Sequence, residues 1–377
     1  MSEDRTPRGP DEETTRGSTL RRVLVNAGGN LVFPLFAIFI SFLIGAVIVL
    51  ATGNNPLTAY AALVQGAVGS PTAIGQTLLG ATPLVFTGLA VAVAFRAGLF
   101  NIGGEGQLYI GAITAAWLGV SLGFLGPFSV VLVLGACVVT GFLWGAIPGF
   151  LKARFGAHEV ITTIMLNYIG ILLATYIALK PLRTEGLIPG TDTIDIAARI
   201  PFIGLGLGRA NYGFFIALLA AVVAYLLLWR TRRGFQLRAV GFSPGAANYA
   251  GMGIGVNTVL ALAIGGAFAA VGGGIEVLGV YGKMTVPFVT NLGFNGIGVA
   301  LLGRNHPAGV VLGALVFGGM ASGAQEMQFA TDVPLQLANV LLAVILLLVT
   351  ATKLVELVLG KRARAFAGAR LEKGLGS

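Results

Sequence analysis

Residues 211–238 read NYGFFIALLAAVVAYLLLWRTRRGFQLR. No charged residue occurs from Asn211 to Trp229, and then Arg230, Arg232, Arg233 and Arg238 follow in quick succession. An apolar run of this length, wound at 1.5 Å per residue, spans a hydrocarbon core about 30 Å thick. Arginines crowded at one end mark the side that stays in the cytoplasm. The stretch therefore reads as a transmembrane helix that enters from outside and stops at a basic inner loop.

The same reading extends in both directions. Spans are expected over residues 31–51, 76–95, 104–123, 128–150 and 159–179 before this one, and over 257–279, 308–328 and 335–357 after it. Residues 292–303 are apolar but shorter than the roughly 20 residues a crossing needs. They read as a Gly-broken helix reaching inward, which survives at membrane depth only when buried in protein or lining a cavity. The fold class expected is an all-α polytopic membrane protein of about ten transmembrane segments, with both termini cytoplasmic.

Charge supports that topology. Of 24 Lys and Arg, five (Lys180, Arg183, Arg199, Arg209 and Lys283) fall on the outward side, which leaves 19 inside. The chain is 56% hydrophobic and 10% charged, with a mean hydropathy of +0.88; a soluble domain carries about 25% charge. The net charge of +9 reads as the cytoplasmic flank of the spans, facing anionic headgroups rather than nucleic acid. Cys137 is the only cysteine, so no internal disulfide and no cysteine metal site can form. Residues 1–25 read as a disordered cytoplasmic tail and 361–377 as a basic one. Between them, 26–360 form the membrane domain, with an external loop at 180–210 and a cytoplasmic loop at 230–252.

Catalytic constellations are missing from the sequence. No G-x-x-x-x-G-K-[ST] and no H-E-x-x-H occurs, so the chain carries neither a P-loop nor a zincin site. What remains is a set of polar residues inside apolar spans. Asn101-Ile-Gly-Gly-Glu105-Gly-Gln107 enters the third span. A carboxylate there is costly, about 2.5–3.5 kcal/mol on insertion scales. Glu105 is expected to pair with Arg96, to cap neighbouring amides at the cytoplasmic edge, or to serve transport. Thr163 and Asn167 are four residues apart and share a helix face, either as interhelical glue or as hydrogen-bonders to a solute. Glu276, Phe294 and Asn295 raise the same choice. Gly141, Gly145 and Gly149 read as a packing stripe. Gly88–Arg96 (GLAVAVAFR) and Gly296–Arg304 (GIGVALLGR) share four of nine positions, which hints at two repeats of one orientation.

The loop after Trp229 is the most specific feature. Ser243 can cap a helix with Pro244 at its first position. Ala246, Ala247 and Ala250 would give that short helix a small face, ended by Gly251. Such a helix is a docking element for another protein.

GFQLRAVGFSPGAANYAGM (234–252) resembles the coupling loop of the permease subunits of ABC importers. The likeness is greatest to the branched-chain amino acid, ribose and nucleoside permease superfamily. LFNIGGEGQLYIGA (99–112), EVITTIMLNYIG (159–170) and GFNGIGVALLGRNHPAG (293–309) resemble its nucleoside-type members, which work with lipoproteins of the basic-membrane-protein kind. One departure is Asn295, where many relatives would carry Asp. The resemblance implies a transport subunit without catalytic residues or a cofactor of its own. ATP–Mg would be bound by a partner ATPase, docked on Arg238, Gly241, Ser243, Pro244, Ala246, Ala247, Tyr249, Ala250 and Gly251. It further implies a second, paralogous permease, a substrate-binding lipoprotein and residence in the inner membrane. The solute is expected to be a nucleoside, with Asn101, Glu105, Gln107, Thr163, Asn167, Glu276, Phe294 and Asn295 as candidates along its path. Ribose or another simple sugar is the alternative within the same machinery. A proton-coupled carrier using Glu105, Glu159 or Glu276 is the alternative outside it.

Overall fold

The computed structural model describes residues 39–350, apart from 187, 290 and 332. The expected tails, the start of the first span and the end of the last lie outside the described residues.

Within them the chain is helical, with isolated β-bridges but no strands. Helices α1 (Phe39–Ala51) and α2 (Pro56–Val68) meet at a bend of 119°. They are followed by α3 (Pro71–Arg96), α4 (Gly104–Ser121), α5 (Pro127–Phe155), α6 (Glu159–Leu179) and α7 (Gly213–Arg230). Two short helices, α8 (Arg232–Phe242) and α9 (Pro244–Tyr249), precede α10 (Ile254–Glu276), which runs on as a wide turn over Val277–Tyr281. Then come α11 (Leu292–Leu302), α12 (Pro307–Thr331) and α13 (Gln336–Thr350).

Six described helices are long and apolar enough to cross a membrane, or seven spans if the bent pair counts as one. Ten were expected from sequence. α4 falls short in apolarity because Glu105 and Gln107 occupy its first turn, and α11 is a short apolar helix, as its sequence implies. Helix α2 was not anticipated. The side chain of Asn55 accepts from Leu57 N at 2.9 Å and Pro56 stands at the first position, so the chain restarts a helix at once. Ser70 and Pro71 repeat the device at α3, with Ala73 N donating to Ser70 Oγ at 3.0 Å.

Two kinds of helix build the bundle. α3 is buried all round from Ala81 to Ala94, and α10 over most of its length. α5, α6 and α7 bury only a narrow stripe of small residues. In α5 the stripe is Val133, Cys137, Gly141, Gly145 and Gly149; in α7 it is Gly213, Ala217, Ala221 and Ala224. Their opposite faces present Val131, Leu143, Phe150, Leu172, Leu219 and Val222. Large apolar side chains outside and small ones inside invert the soluble pattern, and lipid is the solvent that accommodates it. The glycine stripe of α5 brings its backbone onto Leu262, Gly266 and Ala270 of α10, as the spacing implied.

The two segments of the sequence echo lie side by side. Gly88 on α3 faces Val299 on α11, Gly296 on α11 faces Thr87 on α3, and Arg96 donates to Asn305 beyond the end of α11. Both run toward the same, basic end of the bundle.

Candidate functional site

A polar layer lies part-way through the bundle. After Arg96 the chain does not leave at once into α4. Residues 97–103 turn back among the helices as a non-helical segment, and Asn101 is fully buried. The level follows from helix geometry. Thr87 Oγ1 donates to Leu292 O at 3.0 Å, at the start of α11, while Arg96 meets the far end of α11. Nine residues of α3 separate those contacts, about 14 Å, or roughly half a hydrocarbon core.

Here the N-termini of α4 and α11 converge on one carboxylate. Glu105, 2% exposed, accepts from Asn291 N (Oε1, 2.8 Å) and Gly293 N (Oε2, 2.6 Å). The first amides of a helix lack intrahelical partners and carry partial positive charge. The carboxylate satisfies two of them and takes its counter-charge from both helix ends. Of the roles expected for Glu105, amide capping is the one observed, although deep in the bundle rather than at its edge. Arg96 is engaged elsewhere. The approach is close enough that a Cβ on Gly293 would collide with the backbone of Glu105.

The surrounding polar residues complete the layer. Asn167 accepts from Gly106 N (2.7 Å) and donates to Ile102 O (2.6 Å), and Ile102 N donates to Thr163 Oγ1 (3.3 Å). Asn101 and Gln107 exchange amide bonds at 3.2 and 3.3 Å, and Asn101 also accepts from Gly103 N. Thr163 and Asn167 thus share one inward face of α6, as their spacing implied, and they hold a segment that is not helical.

Glu276, near the end of α10, differs. It is 5% exposed and makes no hydrogen bond or ion pair among the described residues. One turn earlier, Gly272 faces Phe86 of α3 and Gly273 faces Leu108 of α4. Position 276 falls between those two directions, so its side chain enters the space between α3 and α4. Tyr281, one wide turn further along the same helical run, opens an aromatic group. Phe288 packs edge-on against Tyr109 (5.6 Å between centroids) and Tyr281 (5.7 Å). Phe294 and Asn295 do not join this interior; both are on the exposed side of α11.

At the end opposite the basic loops, the segment after α6 and the one after α10 are knitted together. Thr191 N donates to Met284 O (2.9 Å), Ile194 N to Gly282 O (2.8 Å) and Val286 N to Pro189 O (2.9 Å). Asn211 Nδ2 ties both to Gly279 O at 3.0 Å.

The basic end holds the stretch read as a coupling loop. Ser243 caps α9, accepting from Ala246 N at 3.4 Å with Pro244 at the first position. α8 is a separate helix that the sequence reading left as loop. The face expected for docking is corrected at two residues, Ala247 and Gly241. Ala247 is 3% exposed and belongs to the inner side, whereas Tyr249 is 97% and Phe242 94% exposed, with Ala246 and Ala250 beside them. Gly241 is also turned inward, its Cα against the backbone of Arg96, Ala97 and Gly98.

Trp229 fastens these helices to the bundle. The Arg96 and Arg238 guanidinium groups lie 5.2 and 5.7 Å from its ring, Tyr225 stacks on it at 5.5 Å, and His306 packs at 5.0 Å. Arg96 donates to the carbonyls of Asn305 (2.9 Å) and Arg304 (3.2 Å), and Arg238 to Leu228 O (3.0 Å). Arg304 and Asn305 have positive φ (both 53°), which turns their carbonyls toward Arg96. Burial first, and the Arg96 charge second, hold the His306 imidazole below its ordinary pKa, so at neutral pH it packs as an uncharged ring. Sequence reasoning missed this cluster. Its one local signal was an arginine at the end of each of α3 and α7. Glu159, weighed earlier as a proton relay, is paired with Lys152 at 2.6 Å.

The family model for the permease component of the branched-chain amino acid transport system matches residues 73–350. The guanosine ABC transporter permease protein NupP of Bacillus subtilis is 40% identical over 343 residues, 90% of this chain and 98% of that protein. The nucleoside ABC transporter permease protein NupB of Lactococcus lactis is 35% identical over 348 residues, 89% and 95% of the two chains. The glucose ABC transporter permease protein TsgB13 of Haloferax volcanii is 31% identical over 339 residues, 84% and 87%. No solved structure matches.

Proposed function

The chain belongs to the family of branched-chain amino acid transport system permease components, and from that premise we propose that it is the membrane subunit of an ATP-driven importer for nucleosides. One observation carries the solute class: identity of 40% and 35% over nearly the whole length of permeases named for guanosine and for nucleosides. The buried polar groups of the layer are amides and hydroxyls, suited to a neutral polar solute.

On this reading the basic end, which holds Arg96, Lys152, Arg154, Arg230, Arg232, Arg233, Arg238 and Arg304, faces the cytoplasm, and the membrane is the inner one. A binding lipoprotein delivers solute onto the knitted loops, 180–210 and 280–292. ATP–Mg is bound by a partner ATPase, which docks on the exposed side of α8 and α9 around Phe242 and Tyr249. Motion there reaches α3 and the α11–α12 joint through Trp229, Arg96 and Arg238. α11 moves as a unit because Glu105 holds its N-terminus. A second, paralogous permease covers the exposed face of α11 that carries Phe294 and Asn295, and the path runs between the two subunits and the inner polar layer.

The test is uptake by proteoliposomes holding both permeases, the ATPase and the lipoprotein, with ATP on the ATPase side. Labelled nucleosides are expected to accumulate and ribose and glucose are not. The relative named for glucose supports a second reading, a sugar permease; accumulation of sugars without nucleosides would establish it.

A further inference from the structure

We infer that Glu276 is a specificity-determining residue that reads the base of the transported solute, its carboxylate receiving the paired N–H donors of a guanine edge while Tyr281 and Phe288 flank the ring. This rests on the nucleoside reading above.

Three observations carry it. Glu276 is 5% exposed and has no hydrogen bond or ion pair among the described residues, while every other side-chain carboxyl or amide of the mid-bundle layer is engaged. A buried carboxylate left alone is costly, and it persists where something supplies its partners. It also enters the space between α3 and α4 rather than facing lipid, as the directions of Gly272 and Gly273 fix. Finally, Tyr281 stands one wide turn beyond Glu276 on the same helical run and packs against Phe288; Phe288 is 5% and Tyr281 43% exposed. Tyr281 thus offers an accessible π face beside the acid.

The chemistry selects among bases. Guanine presents N1–H and the N2 amino group side by side, and both can donate to one carboxylate in parallel, the strongest neutral-to-anion arrangement available. Hypoxanthine offers N1–H alone. Adenine has an unprotonated N1 beside its amino group, and uracil flanks N3–H with two carbonyls, so each would turn a lone pair toward the acid. Flat bases stack on aromatic rings whatever their edge; the carboxylate supplies the choice.

The experiment uses the complete complex in proteoliposomes with ATP. Uptake of guanosine, inosine, adenosine and uridine is measured for wild type and Glu276→Gln, and each variant rate is divided by the wild-type rate for the same solute. The division cancels the selectivity of the binding lipoprotein. Gln keeps the shape but offers one acceptor and one donor, so the guanosine ratio should fall about tenfold or more. Inosine should fall less, and adenosine and uridine should hold or rise, because the Gln amide can donate to the lone pair each turns toward it. Equal ratios for all four solutes, whether high or low, overturn the inference. If the Gln variant does not assemble with the ATPase, Glu276→Asp decides. It keeps both acceptor oxygens, so the wild-type order of guanosine over adenosine is retained if the inference holds and lost if it does not. Failure of the wild-type complex to carry any nucleoside is a different result, which removes the nucleoside reading itself.

Discussion

Two of the described glutamates are buried, and they are opposite cases. Glu105 has both oxygens bonded to backbone amides at the start of α11, and it sits in the first turn of α4. Glu276 is as deeply buried and has no bonded partner among the described residues. In sequence the two look alike, each a lone carboxylate in an apolar, glycine-rich helix. The difference is what the backbone does beside them. Near Glu105 two helices begin inside the bundle and leave amides without partners. Near Glu276 the helix continues into a wide turn and its amides are already used. One acid completes the fold; the other is left for chemistry that the fold does not consume.

That contrast can be broken most forcefully at Glu105. Glu105→Ala leaves the amides of Asn291 and Gly293 without their acceptor, and charged hydrogen bonds of this kind contribute about 1.5–3 kcal/mol each. Loss of the folded subunit from membranes is expected, with a large fall in the melting temperature of any purified complex. Stability equal to wild type would show that the carboxylate is not what holds α11. Asn167→Leu should come next. It removes partners from Gly106 N and Ile102 O, a destabilisation of about 1–3 kcal/mol, read as a lower denaturation midpoint with every solute affected alike. A solute-selective defect instead would move Asn167 from the structural side of the comparison to the functional side.

Trp229→Leu should have a smaller effect on folding and a specific one on coupling. Each cation–π contact is worth about 0.5–2 kcal/mol, and both guanidinium groups keep their carbonyl partners. The expected outcome is an assembled complex in which ATP hydrolysis continues while uptake per ATP falls several-fold. Unchanged stoichiometry would remove the cluster from the transmission path. Smallest for the fold is Tyr249→Ala, because an exposed side chain changes stability by about 0.5 kcal/mol or less. The subunit should stay in the membrane but retain less ATPase on purification. Ala247, expected from sequence to face the partner, is buried within the chain. A charge there would disturb the α8–α9 unit itself, so Tyr249 and Phe242 are the better probes of docking.

The parts legible in sequence are those fixed by neighbours along the chain. Ser243 and Pro244 announced α9, Thr163 and Asn167 announced an inward polar face, and Gly141, Gly145 and Gly149 announced close packing with another helix. Each depends on a spacing of one to four residues. The parts that escaped depend on residues far apart. Glu105 bonds amides 186 and 188 positions away, and its own segment contained the more obvious partner, Arg96. Arg96 was drawn instead to carbonyls at 304 and 305, exposed by two left-handed residues in a row. Trp229 read as the end of a span, although its ring is where α3, α7, α8 and the α11–α12 joint meet. α2 escaped because its 13 residues are too short for a span.

The central claim is that uptake is driven by ATP through the docked helices and not by protons through a buried acid. Glu276 is the acid best placed to be that relay, and Gln cannot titrate. The decisive measurement is therefore nucleoside uptake by proteoliposomes of the complete complex carrying Glu276→Gln, with ATP present and a protonophore collapsing the gradient. Adenosine uptake is predicted to continue at or above the wild-type rate and to stop when ATP is withheld. Uptake that proceeds on a pH gradient without ATP in wild type, and vanishes for every solute in Glu276→Gln, would contradict the account.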